Sequence, residues 1–166
     1  QAQTQTWHSA EDVASMTGHA PPPDGLHYRW PDLPSLALET RLTHKLDAVR
    51  AFARVNSIDR TVTDHPQARI GIVTIGGCDA AVREAIDILA ERGISADYMR
   101  IRGFPFDGGV EEFIMRHNYC FVVEQNRDAQ LRSLLLLETP VPKDRLRSVL
   151  NYGGFPLSAR HVVEPI

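Results

Sequence analysis

Two loops carry the residue types most suited to chemistry. The first is GGCDA at residues 76–80. A glycine pair ahead of a helix can cradle an anion on bare backbone amides, helped by the helix dipole. Gly76, Gly77, Cys78 and Asp79 therefore form a candidate anion site. The pattern is neither GxGxxG nor a P-loop, and in the plainer reading the glycines turn the chain sharply off a strand. The second loop is EQNRD at residues 124–128, five polar residues directly after an apolar run. In open α/β sheets the carboxyl ends of the strands are where ligands and partner domains dock. Glu124 and Arg127 could pair, while Gln125 and Asn126 can hydrogen-bond backbone or ligand. The plainer reading has this loop close a strand-to-helix turn and meet another domain.

Other chemistry finds less support. Cys78 stands where a helix start can acidify a thiol, but no His or Asn accompanies it locally, and Cys120 sits in an apolar run as a small hydrophobe. The seven histidines, His8, His19, His27, His44, His65, His117 and His161, show no HxH or HxxxH spacing, so no metal site is assigned. His117, near a helix end, reads as solvated or facing the helix dipole. A GxSxG elbow is missing, and the strand ends GGCD and EQNR lack the acidic cluster of a receiver domain. No catalytic residue is assigned.

The elements that would position these loops follow from hydrophobic period. Apolar runs at 70–75, 96–101 and 119–123 are rich in β-branched or aromatic residues, and each precedes a helical pattern. That alternation predicts an α/β fold, an open three-layer structure around a mostly parallel sheet. A helix starting at Asp79 as N-cap and running through Arg92 buries Val82, Ala85, Ile86 and Leu89, with Gly93 as its left-handed stop. A short helix from Asp107 to His117 turns Val110, Phe113 and Ile114 inward. Asp128 caps a helix through Leu137 that packs by Leu131, Leu134 and Leu135. A fourth strand is expected at 146–152 and a last helix at 159–164, capped by Ser158.

Ahead of the sheet, residues 1–34 read as an extended, partly disordered arm around APPPDG, with Tyr28 and Trp30 available to pin it to a neighbour. Residues 35–68 read as a lead-in helix and a connector. The helix, 35–55 with Ser35 as N-cap, places Leu38, Leu42, Leu46, Val49 and Ala53 on one face. Residues 69–166 form the α/β domain.

Composition narrows the partners. A formal net charge of −3 over 166 residues supplies no basic field for nucleic acid. No apolar run is long enough for a membrane helix. Two free cysteines and no secretory signal suggest a cytoplasmic chain. The missing initiator Met suggests a processed chain or a part of a longer polypeptide.

These residues resemble the alpha subunit of 2-oxoacid:ferredoxin oxidoreductases, the 2-oxoglutarate type above all, over its transketolase-C-terminal-like domain. Arg83, Glu84 and Ala85 match the family's AVREAID helix, and Phe104, Pro105 and Phe106 its PFP-like turn. Glu124, Gln125 and Asn126 with Gln130 and Leu131 match its VEQNxxGQL loop, and Gly154, Pro156 and Leu157 its closing turn. Ala129 stands where the family often has glycine, and Cys78 where a small hydroxyl residue is common. The resemblance implies a transketolase-C-like fold and adds Gln130 to the contact candidates Glu124, Gln125, Asn126 and Arg127. It implies a holoenzyme with thiamine diphosphate, Mg²⁺ and iron–sulfur clusters. That enzyme converts a 2-oxoacid and coenzyme A to acyl-CoA, CO₂ and reduced ferredoxin. The implied partners are a thiamine-diphosphate-binding beta subunit, the remaining alpha-subunit domains and, through the holoenzyme, ferredoxin. The chain itself has no GDG…NN thiamine motif and no CxxC cluster ligands, so no cofactor is assigned to this segment. It reads as a structural and assembly domain. A stand-alone anion- or nucleotide-binding module and a dimerisation domain are the alternative readings.

Overall fold

Val82, Ala85, Ile86 and Leu89 recur at helical spacing, and all four are buried. They lie on α3 (Asp79–Glu91), which follows strand β2 (Ile70–Ile75). The structure, a computed structural model, describes residues 7–19 and 34–166. It divides into two units, Gln1–Ile58 with Gly103–Asp107, and Asp59–Arg102 with Gly108–Ile166.

The second unit is an α/β sandwich. Its strands are β1 (Arg60–Thr63), β2, β3 (Ala96–Ile101), β4 (Tyr119–Glu124) and β5 (Leu146–Leu150). Their spatial order is β1-β3-β2-β4-β5. β2 pairs in parallel with β3 and β4, and β4 with β5, while β1 runs antiparallel along the edge of β3. Gly93, with φ +77°, ends the turn after α3 in the left-handed region that favours glycine.

Strand side chains alternate between the two faces. Ile72, Tyr98, Phe121, Val123 and Val149 form one core cluster with α3 and with Ala159, Val162 and Val163 of α6 (Ala159–Val163). The other face receives α4 (Gly108–Met115) against β3 and α5 (Gln130–Glu138) against β4. Val110, Phe113 and Ile114 of α4 are buried, as are Leu131 and Leu135 of α5, whereas Leu134 is only half-buried. Each fully buried Leu or Ile contributes roughly 1.5–3 kcal/mol. β1 corrects the expectation of a plain connector: Thr61, Val62 and Thr63 are all β-branched, but the run is too short and too polar to stand out without its antiparallel neighbour.

The first unit holds two helices, α1 (Ala10–Thr17) and α2 (Leu36–Val55). α1 corrects the expectation of an extended arm at those residues. Ser9 and Asp12 make a reciprocal capping box, a signal present in the sequence as SxxD. Trp7 packs its ring on Phe52 at 5.7 Å, and the His8 amide donates to Asn56 Oδ1 at 2.8 Å. Ser35 caps α2 as expected, accepting from the Leu38 amide. The α2 stripe is less buried than its spacing predicts: Ala53 is buried, while Leu42, Leu46 and Val49 are exposed. APPPDG, Tyr28 and Trp30 lie outside the described residues.

Within the sheet, Gly71 sits where nothing larger fits. A Cβ there would lie 2.6 Å from Cys120 Sγ and 3.0 Å from both His117 Nδ1 and the Phe113 ring. Overpacking of this kind costs about 1–3 kcal/mol. Gly71→Ala is therefore expected to lower the urea midpoint by that equivalent, with the denaturant slope unchanged.

Candidate functional site

At the carboxyl edge of the sheet β2, β4 and β5 end side by side, with Thr74 opposite Val123 and Glu124 opposite Leu150. Glu124 is the last residue of β4 and is buried. Its two carboxylate oxygens accept from the amides of Leu131, at 2.6 Å, and Arg132, at 3.0 Å. These belong to the first turn of α5, whose amides have no partner within the helix. An ionised acceptor at a helix amino terminus also meets the positive end of the dipole. Asn126 Nδ2 donates to the same carboxylate at 2.8 Å, and Asn126 Oδ1 accepts from the amides of Asp128 and Gln130.

The loop is thus largely satisfied from within. The expected Glu124–Arg127 pair is replaced by Arg127 with Asp128 at 2.8 Å, because both Glu124 oxygens face the helix. Asp128 is not the cap of α5. The N-cap position is Ala129, in the left-handed region with φ 49° and ψ 48°. Gln125, Arg127 and Gln130 are exposed. Sequence reasoning placed Glu124 and Asn126 in this loop, but did not assign them the capping role that ExxxxxxL spacing across a tight turn permits.

The GGCD loop adjoins it: a Cβ on Gly77 would lie 4.0 Å from Gln125 Oε1. Gly76–Cys78 forms one 3₁₀ turn, with Gly76 at φ +68°. Asp79 is the first residue of α3 rather than its N-cap, which is Cys78. The Asp79 carboxylate accepts from Arg83 Nε at 3.0 Å and from the Tyr98 hydroxyl at 2.9 Å, with Arg100 Nη1 at 3.5 Å. Burial pushes the Asp79 carboxyl up, but the hydrogen bonds from Arg83 and Tyr98 and the charges of Arg100 and Arg83 outweigh it and hold it below the ordinary carboxylate range. Burial, then the Asp79 carboxylate, raises the Tyr98 hydroxyl above its ordinary value. The protein itself supplies the negative charge at the amino end of α3. Cys78 is buried, and burial pushes the Cys120 thiol up to about 12.

A second polar cluster, missed in the sequence, lies at the amino edge. Asp97 of β3 and His117 are both buried, with His117 Nε2 3.0 Å from Asp97 Oδ2 and Nδ1 2.7 Å from the Phe113 carbonyl. Of the two readings of His117, this corrects the solvated one, while Nδ1 meets a carbonyl of the last turn of α4. Arg116 Nη2 donates to Asp97 Oδ2 at 3.2 Å, and the His65 amide to Asp97 Oδ1 at 2.6 Å. Asp97 stands between Ala96 and Tyr98 in a run whose other charged residue is Arg100, and that acidic position was the signal available. Among the described residues no three His, Cys, Asp or Glu side chains group as a metal ion would need, and no helix is long and apolar enough to cross a membrane.

The carboxyl-edge loops and the α3 helix lie within the stretch where the family resemblance was read. No family model matches the chain. A curated relative from Aeropyrum pernix, subunit alpha of 2-oxoacid:ferredoxin oxidoreductase 2, is 31% identical over 93 residues.

Over that stretch the chain is similar to an oxidoreductase alpha subunit.

The match covers 55% of this chain and 14% of the relative, so the chain spans about a seventh of the curated protein it matches. Among solved structures, 2-oxoglutarate:ferredoxin oxidoreductase from Magnetococcus marinus aligns over 99% of this chain and 30% of its own, with a TM-score of 0.63 at 18% identity. A split-gene transketolase aligns over 64% of this chain and 39% of its own, with a TM-score of 0.51 at 21% identity. The fold is the α/β, mostly parallel architecture expected from the sequence, shared with a transketolase.

Two substitutions read the capping geometry. Glu124→Gln offers an amide group to backbone N–H donors and is expected to destabilise the chain by about 1–3 kcal/mol. Ala129→Gly relieves a left-handed alanine and is expected to stabilise it by about 1 kcal/mol, less than the full conformational cost because glycine also loosens the unfolded chain. Chemical denaturation of the two variants against the parent chain measures both signs.

Proposed function

We propose that this chain is the C-terminal structural and assembly domain of a 2-oxoacid:ferredoxin oxidoreductase alpha subunit of the 2-oxoglutarate type. The observation that carries the reading is the 31% identity over 93 residues to the alpha subunit of a 2-oxoacid:ferredoxin oxidoreductase. A fold match running through 99% of the chain supports it. In this reading the holoenzyme oxidatively decarboxylates a 2-oxoacid with coenzyme A, giving acyl-CoA, CO₂ and reduced ferredoxin. Thiamine diphosphate, Mg²⁺ and iron–sulfur clusters supply the electron chemistry in such an enzyme.

Among the described residues, the side chains do not group as those cofactors would need. The two cysteines are buried in separate elements, and no acidic cluster converges on a metal position among the described residues. The domain's contribution is positional. Glu124 and Asn126 hold the loop after β4 in one conformation, and Gln125, Arg127 and Gln130 face outward from it. These outward residues, with Gly76 and Gly77 alongside, are the contacts offered to the remaining alpha-subunit domains and to a thiamine-diphosphate-binding beta subunit. Ferredoxin is met by the assembled enzyme, in the cytoplasm.

The test is complementation. An alpha subunit lacking this segment, mixed with its beta subunit, is expected to regain coenzyme-A-dependent acceptor reduction when the chain is added. The chain alone is expected to turn over no oxoacid. A folded chain that restores nothing contradicts the proposal.

A further inference from the structure

Beyond the loop residues, the carboxyl edge carries a second feature. β5 runs into NYGGFPLS at 151–158, a stretch without a charged residue in a chain that is 23% charged. Tyr152 is 65% exposed and Phe155 84%, on either side of Gly153 and Gly154. Two strands away on the same edge, Ile75 closes β2 at 44% exposure, followed by the uncharged Gly76 and Gly77. The edge is therefore apolar and aromatic at Ile75, Tyr152 and Phe155. The Arg127–Asp128 pair supplies charge beside it.

The turn is held in place. The Asn151 amide donates to the Glu124 carbonyl at 3.0 Å, extending the β4–β5 pairing, and Asn151 Nδ2 donates to the Phe155 carbonyl at 3.1 Å. Leu157 and Ala159 anchor the far end in the core. Two aromatic rings are thus presented on a fixed backbone, which reduces the ordering cost of association. Depletion of charge with enrichment of aromatic residues marks the centre of a protein interface, with charged groups at its rim.

We propose that Ile75, Tyr152 and Phe155 form the centre of the surface on which a neighbouring domain of the oxidoreductase docks. This rests on the reading given under Proposed function. The occupant is argued from two observations. The matched stretch is 14% of the curated relative, and the aligned fold is 30% of the Magnetococcus chain, so in both proteins most of the polypeptide lies outside this fold. The three side chains are also uncharged, which fits an apolar protein face rather than a charged ligand. Association through it is governed by apolar burial and is only weakly sensitive to salt.

The experiment measures, by sedimentation, binding of the full chain to the complementary oxidoreductase polypeptides, an alpha subunit lacking this segment with its beta subunit. The parent, Tyr152→Ser/Phe155→Ser, the single variant Phe155→Glu and the control variant Glu138→Gln, at the far end of α5, are compared at low and high salt. Circular dichroism melts check that each variant folds. The expected result is tight binding by the parent and by Glu138→Gln at both salt concentrations. Both aromatic-site variants are expected to raise Kd about tenfold or more at unchanged melting temperature. Equal binding by the aromatic-site variants overturns the docking surface and leaves the assembly reading standing. A parent chain that does not bind at all overturns the assembly reading, and this inference with it. A parent dimer dissolved by the aromatic-site substitutions, while binding to the other polypeptides is unaffected, also overturns the inference and makes a second copy the occupant.

Discussion

A single buried carboxylate fixes the carboxyl edge of this domain. Glu124 ends β4 and caps α5 with both oxygens, 2.6 and 3.0 Å from the Leu131 and Arg132 amides. A buried carboxylate is costly to desolvate and is tolerated when donors surround it. Here two backbone amides and Asn126 do so. That requirement pulls the chain through a tight turn and sets Ala129 in a left-handed conformation. It also sends Gln125 and Arg127 outward. The same residue carries the β5 turn, since the Glu124 carbonyl accepts from Asn151. One side chain and its own backbone thus position both loops at this edge.

The opposite edge solves the same physical problem differently. Asp97 is buried on β3 and is satisfied by His117, Arg116 and the His65 amide. The Arg145 guanidinium donates to the Met115 and His117 carbonyls, tying β5's lead-in to the end of α4. Gly71 completes the arrangement by leaving room for Cys120, His117 and Phe113. The two edges give the sheet one polar anchor at each end. Between them the apolar faces follow strand alternation.

Much of the sheet was legible in the sequence because its strands are short, β-branched and separated by helical periods. β2 and β3 fall where their apolar runs fall, and α3 carries the stripe that its spacing predicts. What the sequence hid was long-range. β1 exists through its antiparallel pairing to β3, which RTVT alone does not announce. α1 was masked by the polar composition around it, although the Ser9–Asp12 capping box was present. The apolar spacing of α2 correctly gave a helix, but spacing does not fix which of Leu42, Leu46 and Val49 a neighbour covers. At the candidate site the residue types were visible and their roles were not. Glu124 read as a contact residue because a carboxylate after a strand looks solvent-facing until the next helix folds back on it. Asp97 and His117 are twenty positions apart and meet only in the folded chain.

The outward loops of this α/β layer are held by internal hydrogen bonds, and the loop after β4 is an internally satisfied cap. Amide hydrogen exchange at Leu131 and Arg132 in the intact chain tests this most directly. Protection comparable to that of β4 is the predicted result. Exchange at the rate of an open loop, with α5 otherwise folded, would contradict it.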